Sequence, residues 1–252
     1  MEISQKIIER RERVFLVLAG CFLCAMTMLN IIGITRFIQL GPLALAVGVL
    51  PYPLTFLCTD LISELYGRAR ANFLVTVGLA LNVFILGTMW LGNMLPAAEQ
   101  VPPWQILHLA SEVSLPDGSN VSGSVELFSI LYATTAGAVF ASMLAYIAAQ
   151  YCDVYMFHFW KKMTRGKHLW LRNNGSTLIS QGVDSFVVIS VTFGAQFVAG
   201  AMTLSVMLTL MISNYLFKLC AALADTLPFY LGVYYLKRYL QLGDEERLAD
   251  AR

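Results

Sequence analysis

Residues 204–236 read LSVMLTLMISNYLFKLCAALADTLPFYLGVYYL. A hydrocarbon core about 30 Å thick is crossed by a helix of about 20 apolar residues, so this run of 33 residues is longer than one crossing needs. Either Pro228 kinks the helix or one end of it lies in the membrane interface. Asn214, Lys218 and Asp225 interrupt the run. Their i, i+4, i+11 spacing puts them on one helix face. An ionisable group at the bilayer centre costs at least about 2.5–3.5 kcal/mol, so such a face is expected against protein or a watery cavity.

Working outward, five more apolar runs occupy residues 14–34, 42–66, 71–95, 127–149 and 177–199, the second broken at Pro51-Tyr52-Pro53. Of the 252 residues, 58% are apolar and 13% charged, against about 25% charged in an ordinary soluble domain. Mean hydropathy is +0.66. This composition excludes a disordered chain, a soluble enzyme and a secreted disulfide scaffold. Continuous apolar runs also differ from the short alternating strands of an outer-membrane barrel. The expected fold class is all-α: one transmembrane domain over residues 1–252 with six crossing helices.

The formal net charge of +1 conceals a strong asymmetry. Fifteen of the 17 basic residues lie before the first run, between the second and third, between the fourth and fifth, or after the sixth. The alternate loops hold only Arg36, and residues 96–126 carry Glu99, Glu112, Asp117 and Glu126 without a Lys or Arg. Short basic loops stay cytoplasmic, so both termini are expected inside. The 96–126 segment, rich in Pro, Ser and Gly, is expected to be an irregular outer loop. No basic excess points to nucleic acid.

Several motifs lead nowhere. Leu18-Ala19-Gly20-Cys21 looks like a lipobox, but the apolar run continues well beyond Cys21, as in a first membrane helix. Cys21 and Cys24 form a C-x-x-C pair with no second pair and no nearby His, so no zinc site is expected. His108, His158 and His168 show no ligand spacing. Neither a cofactor nor a metal is expected.

The ionisable residues in or beside the apolar runs carry the functional reading. Asp60 and Glu64 are i, i+4 at the inner end of the second run; Gln150 and Asp153 are i, i+3 at the inner end of the fourth; Gln181 and Asp184 are i, i+3 in the fifth. With Asn214, Lys218 and Asp225, four runs each offer one polar face, which implies a shared internal cavity. Counted at 1.5 Å per residue, Asp60, Asp184 and Asp225 are expected at one level, roughly 10–15 Å above the inner boundary, with Lys218 further out as their counter-ion. The plainer alternative is that these groups only pair with one another and fix helix packing. Asn173, Asn174, Ser176 and Thr177 either cap the fifth helix or gate its cytosolic mouth.

Residues 51–67, PYPLTFLCTDLISELYG, resemble the P-x-x-F-x-x-T-D-x-x-x-E-x-Y-G signature of the queuosine precursor transporter family, also called the vitamin uptake transporter family. Gln150 with Asp153, Trp170 to Thr177 followed by Gln181 and Asp184, and Asn214 to Lys218 with Asp225 to Tyr230 resemble three further motifs of that family in the same order. The resemblance implies six helices similar to the substrate-binding subunits of energy-coupling-factor transporters. It implies a multi-pass protein of the bacterial inner membrane that imports 7-deazaguanine precursors of queuosine: 7-cyano-7-deazaguanine, its aminomethyl form or queuine. It makes Asp60, Glu64, Gln150, Asp153, Asn173, Asn174, Gln181, Asp184, Asn214, Lys218 and Asp225 the expected cargo-binding set. The partners expected are a purine-like small molecule, the lipid bilayer, and either an energy-coupling module or a second copy of the chain. The 96–126 loop departs from the compact family pattern.

Two rival readings remain. Another small polar or vitamin-like solute fits the same polar faces. A membrane-embedded aspartyl enzyme would also use paired carboxylates, but the G-x-G-D and D-x-x-x-D runs of such enzymes are absent. The chain is therefore expected not to be an enzyme.

Overall fold

The computed structural model describes residues 2–96, 98, 101–115, 118–164 and 169–242. Side chains are described for all of these except 2–4, 68, 150, 153, 154, 157, 158, 161, 169–174, 176 and 177. The chain is mostly helical, in the order α1 (Glu2–Ile32), β1 (Phe37–Leu40), β2 (Leu43–Ala46), α2 (Tyr52–Tyr66), α3 (Arg68–Met94), β3 (Ile106–Ser114), β4 (Asn120–Glu126), α4 (Leu127–Met163), α5 (Leu169–Val198) and α6 (Leu204–Tyr239). Among the described residues, five helices contain a stretch long and apolar enough to cross a membrane: Gln5–Ile32, Ala69–Met94, Leu127–Ala149, Leu178–Val198 and Leu204–Tyr239. Large apolar side chains such as Leu16, Phe73, Phe84 and Leu223 are exposed, as lipid-facing side chains are and as water-facing ones rarely are in such number.

The second apolar run is not one helix. Its first part belongs to a hairpin in which Leu40 pairs with Leu43, leaving Gly41 and Pro42 as a two-residue turn. Gly41 has φ 58, which suits the first central position of such a turn. The Gln39 side-chain amide donates to the Gly41 carbonyl at 2.8 Å. A 3-10 turn at Val47–Val49 follows, and α2 then starts at Tyr52 with Pro51 at its N-cap. Proline lacks an N–H and is tolerated where helical N–H groups have no partner anyway, so the Pro-Tyr-Pro break starts a helix rather than bending one. With 15 residues, α2 is about 22 Å long, short of a full crossing.

The segment expected to be an irregular outer loop contains two strands, Ile106–Ser114 and Asn120–Glu126. β3 and β4 pair antiparallel from Ile106↔Glu126 to Ser114↔Asn120, with an irregularity between Leu109 and Val113. The Ser114 hydroxyl donates to Asn120 Oδ1 at 2.6 Å, and His108 Nδ1 lies 3.0 Å from the Ser124 hydroxyl. Val121 and Val125 alternate with polar residues, the period-two pattern of a half-exposed strand.

The chain divides into two compact units. The first comprises Met1–Leu29, Leu50–Val83 and Cys220–Arg252. Its core joins Phe22 of α1, Cys58, Ile62 and Leu65 of α2, Ala71 and Leu74 of α3, and Leu240 just past α6. Gly232 lets α6 approach α2 so closely that a Cβ there would lie 3.0 Å from Leu61 Cδ2. At one end of this unit the Tyr66 hydroxyl donates to the Arg11 carbonyl at 2.7 Å, and Arg11 Nη2 donates to the Leu240 carbonyl at 3.4 Å. Arg70 lies over the Phe15 and Tyr66 rings and pairs with Glu12 at 3.4 Å. The start of α1, the end of α2, the start of α3 and the end of α6 therefore gather at the same end, together with the basic residues they carry.

The second unit comprises Asn30–Val49 and Phe84–Leu219. Its helices α4 and α5 lie side by side, and a second core cluster forms from Ile189 and Phe193 of α5 with Met207 and Leu210 of α6. The Ala44 N–H donates to the Ser213 hydroxyl at 3.2 Å, fixing the first hairpin to α6. Gln196 Nε2 donates to the Ser114 carbonyl at 3.2 Å, fixing the second hairpin to the end of α5. Apart from Pro228, α6 has no interruption over its 36 residues, and at about 54 Å it exceeds the thickness of a hydrocarbon core.

Candidate functional site

In the second unit α5 and α6 run antiparallel, with Phe193 beside Met207 and Leu210 at one level and Gly182 beside Tyr215 at another. Between those levels the apolar packing gives way to polar groups. Lys218 Nζ donates to Asp184 Oδ2 across the helix pair, and the two side chains are only 5% and 14% exposed. One turn back along α6, Asn214 Nδ2 donates to the Ser185 hydroxyl at 3.3 Å. Asn214 and Ser185 are both buried. Gln181, one turn before Ser185, is half-buried.

The pairing follows from cost. A lone ammonium or carboxylate among apolar side chains loses its hydration with nothing in return, whereas a salt bridge offsets much of the loss through Coulomb attraction in a low dielectric. Counted from Val198 at the end of α5 and Leu204 at the start of α6, Asp184 and Lys218 are equally deep. Lys218 is thus the counter-ion of Asp184, and it stands at the same level rather than further out. α5 itself begins at Leu169, a full two turns before the apolar run at Thr177.

That same start corrects the reading of Asn173, Asn174, Ser176 and Thr177 as an N-cap. They sit inside α5, where backbone N–H groups already have helical partners. Gln150 and Asp153 likewise fall within α4, which continues to Met163. The side chains of Gln150, Asp153, Asn173 and Asn174 lie outside those described.

In the first unit, Glu64 pairs with Lys237 at 3.5 Å, an α2–α6 tie near the basic end. Asp60 is exposed and Asp225 half-buried. Asp225 Oδ2 is buried with no hydrogen-bond partner among the described residues. Sequence reasoning passed over Ser185. The available signal was its position directly after Asp184, on the face that α5 presents to Asn214 of the antiparallel α6.

Apolar helices with an ion pair and a hydrogen-bonded amide sealed between two of them define a polytopic membrane protein with a polar interior. The chain belongs to the family described as "Putative vitamin uptake transporter", whose family model matches residues 46–232. The match covers α2 to most of α6, including Asp184, Asn214 and Lys218. The chain is also similar to a Bacillus subtilis (strain 168) protein named "Probable queuosine precursor transporter", with 29% identity over 199 residues, 78% of this chain and 74% of the relative. No solved structure matches. The protein is therefore a multi-pass membrane transporter.

Proposed function

We propose that the protein imports a 7-deazaguanine precursor of queuosine across the bacterial inner membrane. The Asp184–Lys218 pair between α5 and α6 carries this reading. A carboxylate accepts from adjacent N–H donors, as on the amide and amino edge of a guanine-like ring. Such an edge can take over Asp184 as Lys218 withdraws, so the carboxylate stays compensated with and without cargo. Asn214 and Gln181 are the neighbouring groups that read the rest of the ring. The name of the Bacillus subtilis relative supports this cargo class. We extend the proposal to Asp60, Glu64, Gln150, Asp153, Asn173, Asn174 and Asp225 as further cargo-contacting residues.

In this reading the chain crosses the membrane six times with both termini in the cytoplasm, α2 acting as a short crossing. The gathering of Arg11, Arg70 and Lys237 at one end of the first unit supports that orientation. The partner is either an energy-coupling module or a second copy of the chain.

Salvage in cells blocked in queuosine synthesis tests the function. One supplies 7-cyano-7-deazaguanine, its aminomethyl form or queuine and measures queuosine in tRNA. Uptake of at least one should depend on this protein, and dependence on none overturns the proposal.

A further inference from the structure

We infer that Arg10 on α1 and Tyr239 on α6 form a binding site for the phosphodiester headgroup of an anionic phospholipid, whose acyl chains lie along the outside of the same two helices. The inference does not depend on the cargo. Both helices contain stretches able to cross a membrane, and in the first unit the start of α1 meets the end of α6. Arg11 Nη2 donates to the Leu240 carbonyl at 3.4 Å. Beside that contact the Arg10 guanidinium lies over the Tyr239 ring, 5.4 Å from its centroid. Arg10 and Tyr239 are both exposed.

Neighbouring cations at this end are already matched. Arg13 pairs with Glu9, Arg70 with Glu12 and Lys237 with Glu64. Among the described residues no carboxylate pairs with Arg10 or with Lys6. The face of an aromatic ring attracts a guanidinium but offers no lone pair, so the N–H donors of Arg10 still call for an acceptor. Their planar fork matches two oxygens of a phosphodiester. The ring also holds the long side chain in place, which reduces the freedom lost on binding. Lys6, one turn before Arg10 on the same face of α1, is exposed and adds a second positive charge.

The surface next to Arg10 decides between a soluble anion and a lipid. Val17, two turns further along that face of α1, is 63% exposed. Tyr235 and Leu231, at four-residue steps back from Tyr239 along α6, are 65% and 48% exposed. All three belong to membrane-crossing segments, so acyl chains cover the surface beside the guanidinium. Free phosphate uses the charges alone, whereas a phospholipid uses the charges and the apolar bed. Two cations without matching carboxylates favour a headgroup of net negative charge over a zwitterionic one, whose own cation they repel.

Native mass spectrometry tests the site. The purified full-length protein is released from detergent micelles holding equal amounts of phosphatidylglycerol and phosphatidylcholine, and the lipid that stays bound is counted. Wild-type protein should retain phosphatidylglycerol over phosphatidylcholine by about fivefold or more, the preference expected from a single basic residue at a membrane surface. Arg10→Gln should bring the ratio close to equality. Arg10→Lys, which keeps the charge and loses the planar fork, should fall between. Lys162→Gln, which removes an exposed charge from α4, should leave the ratio unchanged. Excess inorganic phosphate should not displace the lipid. Equal retention of the two lipids by wild-type protein, an unchanged ratio in Arg10→Gln, or the same fall in Lys162→Gln overturns the inference. Displacement by inorganic phosphate also overturns it, because the site then takes a soluble anion. If Arg10→Gln fails to fold, Tyr239→Leu, which removes the ring and keeps the apolar surface, serves in its place with the same expected fall.

Discussion

Lys218 on α6 and Asp184 on α5 form a buried salt bridge at equal depth in two antiparallel helices. Breaking a buried pair by removing one partner leaves a lone charge and costs about 3–5 kcal/mol, whereas removing both costs far less. Asp184→Asn and Lys218→Met should each lower the melting temperature of the detergent-solubilised protein markedly, and the double variant should recover most of the loss. Uptake separates structure from recognition. The double variant should fold and still fail to transport, because the carboxylate that meets the cargo is gone. Transport by the double variant would reduce the pair to a packing device.

The link between α2 and α3 is a single glycine, Gly67, at φ 84 and ψ 159. This is a region of backbone space that only glycine adopts comfortably, and a side chain there costs about 1–3 kcal/mol. Gly67→Ala should destabilise the protein by that amount. Tyr66→Phe next door should cost less, about 0.5–1.5 kcal/mol, because it removes only the 2.7 Å hydrogen bond to Arg11 and keeps the ring against Phe15. Thermal melts of the two variants side by side check the order, and a larger loss for Tyr66→Phe would contradict it.

These cases show what sequence can and cannot reveal. The long apolar helices and the membrane class were legible because about 20 apolar residues in a row have few other uses. The need of Lys218 for a carboxylate was legible for the same reason, since a membrane makes a lone charge too costly. The hairpin of β1 and β2 was not, because Leu43–Ala46 is as apolar as a membrane helix and only the Gly41-Pro42 turn marks it as a strand. The start of α5 was misjudged because a helix continues past its apolar stretch into polar sequence, as α5 does between Leu169 and Thr177. Ser185 was missed because one serine among apolar residues acquires meaning only from what faces it.

The orientation of the chain is checked by labelling single cysteines in a background lacking Cys21, Cys24, Cys58, Cys152 and Cys220. Ser119, at the tip of the β3–β4 hairpin, and Gln5, near the start of α1, are both exposed. Ser119→Cys should react with a membrane-impermeant maleimide on intact cells, and Gln5→Cys only after permeabilisation. The reverse pattern would invert the topology. Reaction of both on intact cells would place an even number of crossings between them and overturn the cytoplasmic position of the N-terminus.

Asp225 supplies the sharpest contrast between stability and activity. Its Oδ2 is buried without a hydrogen-bond partner among the described residues. A protein optimised only for stability would replace such a group, and groups kept at a cost are the usual mark of function. Asp225→Asn removes that buried charge without changing the size of the side chain. The variant should melt higher than wild type by a few degrees, since about 1 kcal/mol moves the midpoint of a chain this size by roughly 2–4 °C. Its uptake of labelled precursor should fall at least tenfold, because the neutral amide no longer attracts N–H donors as a carboxylate does. A lower midpoint for Asp225→Asn would mean that the carboxylate stabilises the fold, and unchanged uptake would remove Asp225 from the cargo path.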